Sequence, residues 1–303
     1  MTVCIAAICD GGKSIVMAMD RMISTGYVSA DVALKGVKVH RFWLGMYAGN
    51  NITRIDSIID SVAVSLQSRD APPTPGVAQV EDIFTASVQH ETRSEAVAKI
   101  LGVYGHTMET FLTKGREQFG DTVFADMKRE IDDVTVDCQF LVAGFSPRTQ
   151  PVDMEARLFA VIPPGTADSY TPVGFWSIGS GAHSALSSLM FHGHQASTPH
   201  GLGLYHVCEA KFMAESAMGV GKTTVVAVFK NDGSMGYLSQ QNVARIRAVW
   251  EKKGKPRIPK GIGNEITSAL TWVEHGKTIH DKPNKSVETK QDADETLHGS
   301  ESS

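Results

Sequence analysis

The sequence predicts a mixed α/β fold, because stretches with strand periodicity alternate with stretches of helical periodicity. Two short apolar runs, residues 3–9 and 14–19, flank a turn at residues 10–13. Gly11 and Gly12 can supply the positive φ angles that a tight turn between paired strands requires. From Asn51 onward, isoleucine, valine and leucine recur at the spacing of an amphipathic helix. We therefore expect the chain to begin inside a β-sheet and to add helices after it.

The later elements follow from the same two periodicities. A further strand pair is predicted at residues 37–42 and 44–49, before a helix at 51–68 that begins at the capping residues Asn50 and Asn51. A long helical region covers about 80–130 and contains several glycines. The remaining predictions are strands at 137–145 and 157–162, a strand, glycine turn and helix at 174–190, a helix at 202–218, a strand at 223–229, a hairpin at 231–238 and a short helix at 243–251.

Composition and charge exclude several classes of protein. The chain of 303 residues has a net charge of −4, which gives no electrostatic reason to expect nucleic acid or an anionic membrane as a partner. Its four widely spaced cysteines form no CxxC pair, so we expect reduced thiols and no disulfide. A secretion signal and a membrane-spanning run of about 18 apolar residues are both missing from the sequence pattern. These observations predict a cytoplasmic location.

Thr2 is the first candidate catalytic residue. Removal of an initiator methionine before a small residue is normal in the cytosol, and it would leave Thr2 with a free α-amine at the start of a buried strand. A hydroxyl is a poor nucleophile until a base accepts its proton, and the α-amine of the same residue can be that base. The alternative is that Thr2 is only the second residue of a trimmed chain.

The order of short motifs along the chain resembles a known family. "IVMAMD", "STG", "KGVKVHRF" and "GMYAGN" follow the N-terminal threonine in the order found in the proteasome β-subunit and its bacterial relatives, the HslV-type and Anbu-type proteases. "IGSGAHSAL" is similar to the family's GSG segment, and the start of the chain is closest to the Anbu-type members. The resemblance covers about residues 2–240.

The resemblance implies a fold and its extent. It implies an N-terminal nucleophile hydrolase domain over residues 1–250, built as a four-layer αββα sandwich of two largely antiparallel sheets between helices. Residues 251–303 form a polar tail with few apolar residues, and this composition predicts disorder.

The resemblance also implies a set of site residues. A nucleophilic threonine is supported by an acid and a lysine, a glycine amide helps to bind the oxyanion, and a serine and a second acid lie close to the threonine amine. Carried over by motif, these residues are Thr2, Asp20, Lys38, Gly49, Ser180 and Glu215. The family's further serine position falls on Met218, which is a departure from the pattern.

Two of these assignments have rivals. Lys35 competes with Lys38 for the lysine role, and we favour Lys38 because the Val-His-Arg-Phe after it matches a lysine followed by a strand. The spacing from Thr2 to Asp20 is about two residues longer than the family's, which we attribute to a larger hairpin turn. Without that gap, Cys4 would take the nucleophile position.

The activity implied by the resemblance is that of a threonine-type endopeptidase. Its substrates would be peptides or unfolded proteins, its assembly a homo-oligomeric ring, and it would need neither cofactor nor metal. Cleavage preference, ring size and any unfolding ATPase partner are left open. Two alternatives have the same fold: an amidohydrolase for small amides, and a catalytically silent ring subunit that serves as a scaffold.

Two other motifs suggest different chemistry. Residues 218–224 look like a phosphate-binding loop, but Ser216 stands where the motif needs glycine, and the stretch is predicted to run from helix into strand rather than the reverse. The second motif is a set of histidines near Cys208 that could suit zinc, although the spacing fits no standard site and a solvated loop with a helix face is the alternative. These histidines are His192, His194, His200 and His206.

Overall fold

A computed structural model describes residues 2–24, 29–69, 71–147 and 154–255, together with two short strands beyond them. The chain divides into two units, residues 1–254 and 255–303. In the second unit the described residues are the antiparallel pair Val273–Glu274 and Lys277–Thr278. Most of the tail for which we expect disorder, and most of the STG motif at residues 24–26, therefore lie outside the described residues. The domain boundary near residue 250 stays a prediction.

The first sheet contains the N-terminal hairpin and has five antiparallel strands. The hairpin is confirmed, and Asp10, Gly11 and Gly12 adopt φ angles of 54°, 65° and 88° in its turn. In spatial order the strands are β10 (Phe175–Ile178), β1 (Cys4–Cys9), β2 (Ser14–Asp20), β11 (Thr224–Lys230) and β12 (Met235–Tyr237).

The second sheet also has five antiparallel strands. They are β5 (Gly36–His40), β6 (Trp43–Gly49), β7 (Cys138–Pro147), β8 (Met154–Ile162) and β9 (Thr166–Ser169), in that spatial order. The four strands predicted for this region are confirmed. The fifth, β9, was not predicted, because all four of its residues are exposed and none is strongly apolar. A separate two-stranded ribbon consists of β3 (Met22–Ser24) and β4 (Ser29–Asp31).

Six α-helices lie in the described part of the chain. The region predicted as one long helical stretch is two helices, α2 (Val77–Ala96) and α3 (Met108–Asp132), separated by a π-helical turn, a 3₁₀ turn and Gly105, whose φ is 71°. Gly120, with φ of 77°, breaks α3 internally. The helices are α1 (Ile52–Leu66), α2 (Val77–Ala96), α3 (Met108–Asp132), α4 (Ala182–Phe191), α5 (His200–Ala214) and α6 (Gln240–Val249), which a π-helical turn (Trp250–Gly254) follows. No helix among the described residues combines the length and apolarity needed to cross a membrane.

Strand β1 is buried on both faces, which explains its unbroken apolar sequence. Ile5 and Ala7 pack with residues of α4 and α5, whereas Cys4 and Ala6 pack with residues of the second sheet. Successive side chains of a strand point to opposite faces, so a strand covered on both sides needs apolar residues at every position. The chain is therefore held firmly from its first residues.

The second sheet is covered by α1 and α2. Ile55 and Ile58 of α1 are fully buried, and the ring of Phe84 in α2 lies 5.7 Å from that of Phe140 and 6.2 Å from that of Phe159. Burial of each such side chain contributes about 1.5–3 kcal/mol. Helices therefore contact each of the two sheets.

Candidate active site

Thr2 lies two residues before the start of β1 and is 2 % exposed. Its backbone nitrogen donates to Ser180 Oγ at 3.3 Å, and its carbonyl oxygen accepts from the Gly181 amide at 3.2 Å. Gly179 has φ of 90°, and a Cβ at this position would lie 2.4 Å from the Thr2 carbonyl oxygen. The turn between β10 and α4 thus requires glycine and fixes the position of Thr2. Met1 lies outside the described residues, and its removal stays a prediction.

The Thr2 hydroxyl contacts a buried ion pair. It is hydrogen-bonded to Asp20 Oδ1 and to Lys35 Nζ, and these two atoms are 3.1 Å apart. The side chains of Lys35 and Asp20 are 5 % and 0 % exposed. A cation and an anion therefore meet at one hydroxyl, away from bulk water.

The hairpin register brings Asp20 to this place. Cys4 pairs with Met19, so Asp20 at the end of β2 lies beside Val3. The Val3 amide donates to Asp20 Oδ1 at 3.0 Å, while Oδ2 accepts from the amides of Met22 and Gly221, each at 3.1 Å. Three backbone donors hold this carboxylate in addition to its side-chain partners.

The lysine beside Thr2 is Lys35, and the prediction of Lys38 at this position is wrong. Lys38 lies in the middle of β5, is exposed, and donates from Nζ to the Gly233 carbonyl at 3.0 Å. Lys35 precedes β5 and is an even number of residues from Val37 and Val39, so it falls on the same face as these inward-pointing valines. Side chains alternate along an extended segment, so Lys38 points to the opposite face. The alternation of Val37 and Val39 was the signal in the sequence that could have identified Lys35.

Glu215 also lies elsewhere than predicted. Its carboxylate binds the Arg247 guanidinium at 2.6 and 2.8 Å and Lys211 Nζ at 2.6 Å, whereas the partner of the Thr2 nitrogen is Ser180 Oγ. Glu215 follows α5 one turn after Lys211, whose side chain is completely buried. A buried ammonium requires an anion, and Glu215 serves that need.

Lys211 connects this ion cluster to Asp20. Its Nζ donates to the Gly221 carbonyl at 2.5 Å, and the amide of the same glycine donates to Asp20 Oδ2 at 3.1 Å. Burial lowers the pKa of Lys211, and the Glu215 carboxylate opposes that shift. Sequence reasoning missed Lys211, because a lysine in an amphipathic helix ordinarily indicates a solvated position.

A cavity of about 220 Å³ lies beside Thr2. Gly49, at the end of β6, lines it, and a Cβ on this glycine would lie 2.2 Å from the Asp137 carbonyl oxygen. The close approach of β6 to the start of β7 therefore requires glycine. The residues lining the cavity are Thr2, Ala48, Gly49, Asn50, Asp137, Gln139, Gly179 and Ser180, of which Thr2, Gly49 and Ser180 were predicted as site residues.

Cys4 is unsuited to the role of an alternative nucleophile. It pairs with Met19 and Ile178 inside the first sheet, and its Sγ donates to the Tyr47 carbonyl at 3.3 Å. Burial raises the pKa of its thiol far above the ordinary value. The thiol therefore stays neutral in the core. The alternative alignment with the family, which has no gap and makes Cys4 the nucleophile, does not hold.

Three of the four histidines pack together near α4 and α5, whereas His200 lies apart, with its Nδ1 2.8 Å from Asp10 Oδ2. His194 Nδ1 lies 3.3 Å from His206 Nδ1, and the His192 ring stacks on that of His206 at 4.9 Å. His192 Nε2 lies 3.1 Å from Glu209. Burial, with a smaller effect from the neighbouring histidines, lowers the pKa of His206 to about 4. Within the described ranges, no group of His, Cys, Asp and Glu has an arrangement suited to a metal ion.

Residues 218–224, which resemble a phosphate-binding loop in sequence, run from a helix into a strand, as predicted. It follows α5, which ends at Ala214, and enters β11, which begins at Thr224. In a phosphate-binding loop the chain enters a helix, whose N-terminus faces the phosphate. The segment lacks that geometry.

Comparison with known proteins gives a likeness in fold. No family model and no curated protein matches the sequence. The structure is similar to that of Anbu (ancestral beta-subunit) from Yersinia bercovieri, with a TM-score of 0.57 and 14 % identity, over 91 % of this chain and 100 % of that chain. At this identity the likeness concerns the fold alone. It is consistent with the N-terminal nucleophile hydrolase fold that the sequence resemblance implies.

Proposed function

We propose that this chain is a proteasome-like threonine hydrolase that cleaves amide bonds with Thr2, in a four-layer αββα fold. The observation that carries the proposal is the contact of the Thr2 hydroxyl with both Lys35 and Asp20 beside a cavity. A threonine with only a structural role has no need of a buried cation at its hydroxyl, because burying that cation costs several kcal/mol before its interactions repay it.

The proposed reaction begins after removal of Met1. The Thr2 hydroxyl attacks the substrate carbonyl carbon and passes its proton to the free α-amine, which Ser180 Oγ, 3.3 Å from the Thr2 nitrogen, orients. The Lys35 ammonium stabilises the negative charge that develops on the hydroxyl oxygen, and Asp20 holds that ammonium in place. The Gly49 amide receives the oxyanion. One such donor contributes about 2.7–4 kcal/mol, which is about 10² to 10³ in rate.

The second half of the reaction restores the enzyme. The tetrahedral intermediate expels the substrate amine, which takes up the proton from the α-amine of Thr2, and an ester of Thr2 remains. The α-amine then activates a water molecule, whose oxygen attacks the ester carbonyl and releases the acid. As the ester bond breaks, the α-amine passes the proton that it took from water to Thr2 Oγ1, so water replaces the proton that Thr2 lost to the leaving amine.

We extend the proposal to peptide substrates and to a homo-oligomeric ring in the cytoplasm. The motif order and the likeness in fold to an ancestral beta-subunit support a peptidase subunit. Free Cys4, Cys9, Cys138 and Cys208, all buried, fit a reducing compartment.

The test combines intact-mass measurement with hydrolysis of fluorogenic peptides. We expect a mass that lacks Met1, and loss of at least about a thousandfold in hydrolysis for Thr2→Ala, since the nucleophile is removed. Thr2→Ser keeps a hydroxyl and serves as the matched control that retains activity. Full retention of Met1 in an active sample, or full activity of Thr2→Ala, would contradict the mechanism.

The same measurements separate the two alternatives. Hydrolysis of small amides without cleavage of peptides supports an amidohydrolase. A correctly trimmed, folded oligomer that hydrolyses neither class supports a scaffold subunit.

A further inference from the structure

The cavity beside Thr2 has an uneven distribution of charge. Among the described residues that line it, Asp137 is the only charged one. Lys35 approaches the Thr2 hydroxyl as well, but its ammonium is paired with Asp20 at 3.1 Å. A substrate side chain in the cavity therefore meets one carboxylate and no opposing cation from the lining residues.

The backbone of Asp137 is hydrogen-bonded to Asn50, two residues before the start of α1. Its carbonyl oxygen accepts from the Asn50 amide at 3.3 Å, and the next residue, Cys138, pairs with Gly49. Its carboxylate oxygen Oδ2 accepts from Asn50 Nδ2 at 2.7 Å. The position of the carboxylate is thus tied to the glycine whose amide we assign to the oxyanion.

The Asp137 carboxylate can accept hydrogen bonds from a ligand in the cavity. A carboxylate has about four acceptor positions, and the one amide donor from Asn50 leaves others for a ligand. Gln139, which is neutral, accepts with its Oε1 from the Gly179 amide at 3.2 Å. Lysine and arginine side chains are rich in donors and carry the charge that complements Asp137.

From this geometry we infer that the cavity selects substrates with a lysine or arginine side chain close to the scissile bond, with Asp137 as the residue that determines this specificity. The inference rests on the proposed function, since it concerns the substrate of the same site. Acidic side chains are disfavoured at that position because they meet Asp137 with like charge.

The expected selectivity is modest because Asp137 is exposed to solvent. A solvent-exposed ion pair is worth up to about 1 kcal/mol, which corresponds to about a fivefold preference. Screening by salt should reduce this preference, since the Debye length falls from about 10 Å at 0.1 M to about 3 Å at 1 M.

The first experiment measures cleavage sites. The full-length enzyme digests a mixed peptide library, and mass spectrometry identifies residues on both sides of each cut. We expect lysine and arginine to be enriched within two positions of the cut. In matched substrates, Asp137→Asn should lower the ratio of kcat/KM for basic over neutral peptides by about fivefold, and Asp137→Lys should favour acidic peptides.

A matched control uses a nearby exposed carboxylate that does not line the cavity. Asp133→Asn at the end of α3 should keep the wild-type ratio of basic to neutral substrates. Cleavage without basic preference, or an unchanged ratio in Asp137→Asn, overturns the inference and leaves the proposed function standing. Absence of all cleavage instead counts against the proposed function.

Binding tests the inference independently of hydrolysis. Fluorescence anisotropy with the Thr2→Ala variant compares two labelled peptides that differ only in lysine or glutamate at one position. We expect about fivefold tighter binding of the lysine peptide, and loss of that difference when Asp137→Asn is added. Equal affinity for both peptides in Thr2→Ala overturns the inference whatever the wild-type enzyme cleaves.

Discussion

Replacement of Lys35 by methionine removes the ammonium at the Thr2 hydroxyl while preserving most of the side-chain volume. Asp20 is fully buried and would lose its cationic partner. Breaking a buried ion pair from one side costs about 3–5 kcal/mol, because an uncompensated charge remains. Three backbone amides still bind Asp20, so we expect a loss near the lower end, about 3 kcal/mol.

The expected loss of activity is larger than the loss of stability would suggest. Lys35 directly contacts the oxygen that we assign as the nucleophile. Removal of one preorganised electrostatic donor lowers kcat by about 10²- to 10³-fold. Lys35→Arg keeps the charge and should lose less stability than Lys35→Met.

Lys38→Met is the matched control three residues away. Lys38 is exposed, donates one hydrogen bond to a backbone carbonyl, and lies 5.5 Å from the Phe229 ring centroid. An exposed cation–π contact is worth about 0.5–1 kcal/mol. We therefore expect Lys38→Met to lose less than about 1 kcal/mol and to keep wild-type hydrolysis.

Urea unfolding followed by tryptophan fluorescence measures the stability of each variant, and fluorogenic peptide hydrolysis measures its activity. Hydrolysis is compared without denaturant, where circular dichroism verifies that both variants are folded. Loss of hydrolysis in Lys38→Met together with its retention in Lys35→Met would refute the assignment. Equal effects in the two variants would refute it as well.

Two further predictions concern packing and pH. Gly179→Ala should lower the free energy of unfolding, measured in urea, by at least about 2 kcal/mol and abolish hydrolysis, since its Cβ would lie 2.4 Å from the Thr2 carbonyl oxygen. Gly193 also has a positive φ, but no atom lies within 4 Å of the position of its Cβ, so Gly193→Ala is the milder control. Equal losses of stability in the two variants would contradict the predicted clash. The lowered pKa of His206 keeps its imidazole neutral in the folded state, so stability should be full above pH 6.5 and fall as pH drops toward 4. Urea unfolding at several pH values should find that His206→Gln flattens this dependence and that exposed His200→Gln does not; an unchanged slope in His206→Gln would contradict it.

Much of the fold was predictable, because periodicity and turn chemistry are local. The hairpin turn, the helix after Asn51 and the strand after the helix of residues 200–214 all follow from residues close together in the sequence. The short strand β9 was missed because its four exposed residues provide no apolar alternation. The break at Gly120 was indicated only as one of several glycines in a helical region.

The site was partly predictable for a different reason. Asp20 and Ser180 were assigned by motif resemblance, and the hairpin register and the glycine turn place both side chains beside Thr2. The choice between Lys35 and Lys38 depends on which face of β5 is buried. The alternation of apolar residues favours Lys35, but the sequence analysis gave more weight to the motif likeness and chose Lys38. Glu215 was misplaced because the buried lysine that binds it is visible only after the helix is packed.

The ion cluster at the end of α5 also joins α6 to the candidate site through a chain of polar contacts. Arg247 on α6 binds Glu215, Glu215 binds Lys211, and Lys211 reaches Asp20 through the two polar groups of Gly221. A helix that does not line the cavity is thus connected by hydrogen bonds to the carboxylate beside the candidate nucleophile. Removal of the Arg247 guanidinium would leave Glu215 with Lys211 as its remaining cation in this cluster, so a change on α6 alters the charge balance two hydrogen bonds away from Asp20.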